Sequence, residues 1–308
     1  MELRKFEDPF LTATGERRAQ VALKALETVW FNTGTLCNLT CGHCYIESSP
    51  KNDRLAYLSA SEVGGFLDEV AGGGLPTRLI GFTGGEPFMN AELPAMLDDA
   101  LSRGFDALVL TNAMKPMAKC RTALRQLNER YGERLTIRVS IDHYGPAVHE
   151  AERGRRSWKP TIDGLCWLAR NGFSLHVASR RLSGESETEI RAGFARLFAE
   201  LGVAIDAADP VRLMVFPEMD QAAEVPEITE ACWGILGKSP QSVMCGSARM
   251  VVKRKGAARP AVLACTLLPY DERFELGASL AAASGPVALN HPHCAKFCVL
   301  GGGACSRS

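Results

Sequence analysis

Three cysteines stand within eight residues at Cys37-Asn38-Leu39-Thr40-Cys41-Gly42-His43-Cys44. Thiolates at this spacing can ligate a metal, but three are one short of the four that tetrahedral structural zinc or an all-cysteine iron–sulfur cube takes. A cluster held this way keeps one iron free for an outside ligand, which is the feature chemistry at the metal needs. The other reading is a zinc site completed by His43 or by a distant residue.

A second motif follows at Thr83-Gly84-Gly85-Glu86-Pro87. Paired glycines let backbone approach a ligand closely. Glu86 offers a negative charge suited to an ammonium group, and Pro87 fixes the chain as it leaves a strand. One strand–helix unit separates this turn from the cysteine loop.

The remaining cysteines form a second group. Cys245 and Cys265 bracket a predicted hairpin (249–253 and 261–264), and Cys294, Cys298 and Cys305 lie downstream. This arrangement draws distant thiolates to one point, where four could hold zinc or an iron–sulfur cluster. Cys120 and Cys166 fall in predicted helices among apolar neighbours and read as core thiols. Cys232, beside Trp233, reads as structural, though it is near enough in sequence to join the second group. The Lys253-Arg254-Lys255 tip reads as a solvated turn.

The chain has 11 cysteines, an odd number, and its first 14 residues alternate charged with apolar types, unlike a signal peptide. Metal or thiol chemistry is therefore favoured over a disulfide framework. Lys+Arg (35) balance Asp+Glu (35), so no bulk attraction draws the chain to nucleic acid or an acidic membrane. No run approaches the roughly 18 apolar residues of a membrane span. A soluble, cytoplasmic protein is expected.

These residues need a scaffold. Periodicity predicts an amphipathic helix over 16–26 and a strand over 28–35. Helices over 61–71, 91–103, 116–131, 160–171 and 186–201 then alternate with strands at 78–82, 107–110, 135–141, 175–178 and 212–216. Alternation of this kind gives parallel strands joined by right-handed crossovers, as a doubly wound sheet or a barrel, with chemistry at the C-terminal strand ends. It stops after about Pro217. The expected division is a helical lead-in over 1–28, an α/β unit over 29–220, and a linker helix with a cysteine-rich hairpin and loops over 221–308.

With C-x3-C-x2-C after strand one and GGEP after strand two, the chain resembles the radical S-adenosylmethionine (SAM) superfamily. The resemblance implies a partial (β/α)6 TIM-like barrel with a [4Fe-4S] cluster on Cys37, Cys41 and Cys44. SAM would chelate the fourth iron, its amino group held by Gly84, Gly85 and Glu86, with Pro87 completing the motif. Electron transfer would then cleave SAM to a 5′-deoxyadenosyl radical that abstracts hydrogen from substrate. Ser140 and Asp142 would meet the ribose, Ser179 with Arg180 or Arg181 the ribose or carboxylate, and Val215 and Phe216 the adenine. His43 replaces the aromatic residue common before the third cysteine and would sit near the adenine, titrate or donate a hydrogen bond. Asp142, Tyr144 and His149 become candidates for substrate contact at the barrel mouth; the alternative for this stretch is a solvated loop.

The C-terminal region resembles the SPASM/Twitch type, which implies an auxiliary [4Fe-4S] cluster on Cys245, Cys265, Cys294 and Cys298, with Cys305 an alternate or extra ligand. The expected activity is net oxidation or bond formation on a small molecule or peptide. An outside electron donor such as flavodoxin or ferredoxin would supply electrons, and a separate protein could present a peptide, because the roughly 28 residues before the first strand are too few for a leader-binding domain. Two alternatives stand: a redox-neutral epimerase using Cys305 or Cys232 as hydrogen donor, and a non-catalytic iron–sulfur or zinc protein for electron transfer or redox sensing.

Overall fold

A computed structural model describes residues 4–182, 184–217 and 224–303. Cys305 lies outside the described residues. The N-terminal stretch is extended, not the helix its periodicity predicts. Its strand β1 (Gln20–Val21) pairs antiparallel with β11 (Val287–Ala288). The Ala19 amide donates to Ile228 O and its carbonyl accepts from Leu289. Arg18 is buried, with Nε on Asp8 O, Nη2 on Leu11 O, and an ion pair to Glu227 at 2.5 Å. Long-range pairing outweighs helical propensity here.

The predicted alternation follows as β2 (Thr28–Asn32), α1 (Ala60–Gly72), β3 (Leu79–Thr83), α2 (Leu93–Ser102) and β4 (Asp106–Thr111). The helix predicted over 116–131 is split at Cys120 into α3 (Lys115–Lys119) and α4 (Arg121–Tyr131). After β5 (Leu135–Ser140) comes an additional helix, α5 (Pro146–Arg153), then α6 (Trp158–Arg170), β6 (Ser174–Arg180), α7 (Glu187–Leu201) and β7 (Leu213–Phe216). Helices α1 and α7 start at capping boxes, Ser59 with Glu62 and Ser186 with Glu189.

Strands β2 to β7 pair in parallel in sequence order, the wall of a partial barrel. Beyond β7 come the short α8 (Cys232–Leu236), β8 (Ala248–Val252), β9 (Ala261–Leu263) and β10 (Glu275–Gly277). The expected hairpin is β8 with β9, and β8 also joins β2 in parallel, so one nine-stranded sheet runs β10-β9-β8-β2-β3-β4-β5-β6-β7. The tip charges Lys253, Arg254 and Lys255 pair with Glu62, Glu275 and Asp53. The chain then forms a π-helical turn over Cys294–Leu300.

Side-chain alternation along the strands divides the core in two. Val29, Phe31, Ile80, Phe82, Val109 and Val139 face the helices. Trp30, Leu79, Leu108 and Met250 face inward and join the core of the C-terminal region. Trp30 explains Gly81, where a Cβ would come within 2.3 Å of the indole.

Candidate active site

One cavity opens at the C-terminal ends of the barrel strands, where the fold gathers chemistry. Cys37, Cys41 and Cys44 line it, with Thr83, Gly84 and Gly85 from the end of β3, and Ser140, Asp142, Ser179, Arg180 and Phe216 from later strands. Leu267 and Phe297 from the C-terminal region complete it. These are chain neighbours of Cys265 and Cys298.

The glycine pair serves the loop as well as the cavity. Gly84 has φ +139°, and a Cβ there would lie 2.5 Å from Gly34 O. At Gly85 it would lie 2.2 Å from Leu36 O. The Gly85 amide donates to Gly34 O at 2.8 Å and the Glu86 amide to Leu36 O at 3.1 Å. The two motifs are thus stitched together immediately ahead of Cys37.

Glu86 sits behind the cavity, not on its lining. Its carboxylate accepts from the Thr111 hydroxyl (2.8 Å), the Asn112 amide (2.8 Å) and the Phe88 amide (3.2 Å). Full burial outweighs these bonds and pushes its pKa up to about 7. In this position Glu86 braces the end of β4, where Asn112 Nδ2 reaches Asn38 Oδ1 at 3.0 Å and Cys37 Sγ at 3.9 Å. Pro87 is buried at the start of the following turn and also stays off the lining.

Asp142 lines the cavity as a buried carboxylate. Arg153 Nε reaches it at 2.6 Å and Arg180 Nε at 3.6 Å. Burial would raise its pKa, but the two guanidiniums hold the carboxyl below the usual range. Its carbonyl accepts from Ser179 Oγ at 2.8 Å. Arg153, at the end of α5 with its side chain 10 % exposed, was given no role from sequence, nor was Arg138, a cavity-lining residue of β5 that is 1 % exposed. Arg138 reaches His176 Nδ1 at 3.3 Å.

Two residues expected at the reaction centre stand elsewhere. The His43 ring points out of the cavity, half exposed, with Nδ1 at 2.6 Å from Glu152 of α5. Tyr144 packs under α7, where a Cβ on Gly193 would meet its ring at 2.3 Å. Its hydroxyl donates to Glu185 at 2.6 Å, and its ring stacks on His143 at 4.1 Å. Polar groups here favour internal pairing over the open mouth. Arg181 is exposed and off the lining. His149 is fully buried against Trp158, and neither ring nitrogen is hydrogen-bonded. Burial first, then Arg153, brings its pKa down to about 4.

The cavity suits a [4Fe-4S] cluster and SAM. Burial pushes the Cys37 thiol up to about 12 and raises Cys41, so empty thiols hold protons that a metal must displace. Backbone amides of Leu39 and Ser48 already point at Cys37 Sγ (3.4 Å) and Cys44 Sγ (3.3 Å), and Arg153 and Arg180 set positive charge beside Cys41. Among the described residues no three His, Cys, Asp or Glu side chains converge as ligands of a single metal ion would; a cubane takes its thiolates at separate corners.

In the second group, burial first and then the nearby Cys265 raise the thiol pKa of Cys245 and Cys294. Cys245 reaches about 12. Cys298 follows on the same π-helical turn as Cys294. Buried Arg249 adjoins them, its guanidinium bonded to the carbonyls of Cys245, Ala248, Ala283 and Gly285 at 2.6–3.0 Å. Cys232 Sγ stays within its own turn, accepting from the Thr229 amide, and does not line the cavity.

Comparison with known proteins places this geometry. The chain is 29% identical over 169 residues to the antilisterial bacteriocin subtilosin biosynthesis protein AlbA of Bacillus subtilis, covering 54% of this chain and 35% of that protein. It is 37% identical over 138 residues to the Fe-coproporphyrin III synthase of Methanosarcina barkeri, covering 44% and 31%. The chain therefore matches about a third of the length of these relatives. Among solved structures, Streptococcus suis SuiB bound to S-adenosylmethionine superposes with TM-score 0.60 at 12% identity, over 84% of this chain and 64% of that one. Native anSMEcpe with bound AdoMet gives 0.58 at 13%, over 82% and 77%. The Radical SAM superfamily profile matches residues 31–192, more than half of the chain, from β2 through the cysteine loop, the GGEP turn and α5 into α7. The chain belongs to the radical SAM superfamily.

Proposed function

We propose that this enzyme takes a hydrogen atom from a peptide residue or small metabolite in the cavity and completes a net oxidation or bond formation, with the C-terminal cysteines holding an auxiliary [4Fe-4S] cluster. The bound cluster and SAM supply the carbon radical for this chemistry. Cys37, Cys41 and Cys44 hold three irons of the first cluster. The Thr83–Gly85 backbone, Ser140, Asp142, Ser179, Arg180 and Phe216 line the place for SAM. Cys245, Cys265, Cys294 and Cys298 hold the second cluster, with Cys305 an alternate.

The observation that carries this reading is the shared cavity: its walls include the first three cysteines and also Leu267, two residues from Cys265, and Phe297, next to Cys298. A substrate there lies between the two cysteine groups. The proposal keeps the division into 29–220 for the radical unit and 221–308 for the auxiliary region, whose boundary lies outside the described residues. Support for a peptide substrate comes from SuiB, solved bound to a precursor peptide, and from the bacteriocin named in the AlbA match. A cytoplasmic reductant of the flavodoxin or ferredoxin kind would supply electrons.

Iron and sulfide should be counted in anaerobically reconstituted protein and in a Cys37/Cys41/Cys44→Ala triple variant. About eight irons falling to about four is expected for two cubanes. About four falling to none would remove the auxiliary cluster and its oxidative role. Cys245→Ala or Cys265→Ala should abolish product formation while 5′-deoxyadenosine is still released; full turnover would overturn the auxiliary role.

A further inference from the structure

The cysteine loop is held from outside the cavity by a residue that no motif marks. Helix α5 turns one face, His149, Glu152 and Arg153, toward the barrel; the first two are buried and the Arg153 side chain is 10 % exposed. Glu152 Oε1 accepts from the His43 amide at 2.8 Å and Oε2 meets His43 Nδ1 at 2.6 Å. The Glu152 carbonyl accepts from the Gly42 amide at 2.8 Å. Arg180 closes the clasp, with Nη1 at 2.7 Å from His43 O and 3.5 Å from Glu152 Oε1.

Gly42 and His43 are the two residues between Cys41 and Cys44. Their amides are therefore fixed by one glutamate, while the Glu152 side chain is only 5% exposed. A buried carboxylate that meets an amide, an imidazole nitrogen and a guanidinium, with its own backbone carbonyl on a second amide, holds its partners in one geometry, because any departure leaves charge unsatisfied. The helix itself is anchored at the next residue through Arg153 and Asp142.

We infer that Glu152 is a positioning residue for the first cluster: it fixes the Gly42–His43 segment so that Cys41 and Cys44 face the cavity together while the His43 ring is turned away from it. It touches neither substrate nor thiol, and acts through the loop. The inference rests on assigning Cys37, Cys41 and Cys44 to the first cluster.

The test compares wild type with Glu152→Gln and Glu152→Ala, each reconstituted anaerobically. Iron release to a chelator, the EPR spectrum of the reduced cluster with and without SAM, and the melting temperature of the iron-free protein are measured together. Glu152→Ala should lose iron about 10-fold faster and respond weakly to SAM, since outer-shell partners typically control ~10–100-fold in metal affinity. Glu152→Gln keeps an acceptor for the His43 amide but lacks the charge opposite Arg180, so it should fall between. A purely structural role would lower the melting temperature and leave the spectrum of the loaded fraction unchanged, and that result overturns the inference. If Glu152→Ala does not fold, Glu152→Gln decides: wild-type iron release and spectrum overturn it. Wild type that binds no iron, or a triple cysteine variant that keeps the full iron content of wild type, sinks the cluster assignment itself.

Discussion

Gly85 lies so close to Leu36 that a Cβ on it would come within 2.2 Å of the Leu36 carbonyl oxygen. The contact joins the end of β3 to the residue before Cys37, so the lining of the cavity and the position of the Cys37 thiol are set by one backbone crossing.

Gly85→Ala should therefore push the cysteine loop away from β3. The obstacle is backbone, which cannot rotate aside, and overpacking of this kind costs ~1–3 kcal/mol. Urea denaturation of the iron-free protein should show that loss, and reconstitution should yield less iron than wild type. Wild-type iron content would show that the loop tolerates the shift.

Asp142→Asn should destabilise by ~3–5 kcal/mol, because it leaves buried Arg153 and Arg180 without their shared carboxylate. A loss below ~1 kcal/mol in urea denaturation would mean that the remaining contacts already satisfy both guanidiniums.

Much of this centre was legible in sequence because its signals are local. Strands β2 to β7 follow from alternating apolar runs, and the two motifs fall where such a fold gathers chemistry. Glu152 was not legible: its role depends on a helix where a loop was one of two readings, and on partners 109 residues away. The signal was present in Gly145-Pro146 and Gly154, a proline at the first helical position and a glycine just past the end. The pairing of β1 with β11 left no local trace. For Glu86, Tyr144 and His43 the sequence marks a position along the chain, whereas side-chain packing decides that none of the three lines the cavity.

Glu86 predicts a pH dependence. Its folded pKa, about 7, stands above the ordinary glutamate value of 4.5. Between these values the folded state holds a proton that the unfolded chain has lost, so its contribution to stability falls as pH rises through that window. Buried His149, His176 and His291, each brought down to about 4, act oppositely as pH falls below the ordinary histidine range. Comparison with Glu86→Gln isolates the glutamate: wild type should gain stability relative to the variant between pH 7 and 4.5. A constant difference would show that Glu86 ionises normally.

Tyr270 ties the C-terminal region to the cysteine loop. Its hydroxyl donates to Ile46 O at 2.7 Å and accepts from Asn52 Nδ2 at 3.1 Å. Tyr270→Phe should cost ~1 kcal/mol in urea denaturation. It should also raise 5′-deoxyadenosine release relative to product, by loosening the loop against Leu267. An unchanged ratio would confine Tyr270 to stability.

The parallel pairing of β8 with β2 has a consequence for how this chain comes apart. Every residue of β2 is buried, and its two sides are occupied by β3 and β8. Protease cleavage of the connection between β7 and β8 should yield two fragments that co-elute until denaturant separates them. Neither fragment would be a portable cassette: grafting the hairpin onto another barrel requires a recipient first strand with an open edge in the same register.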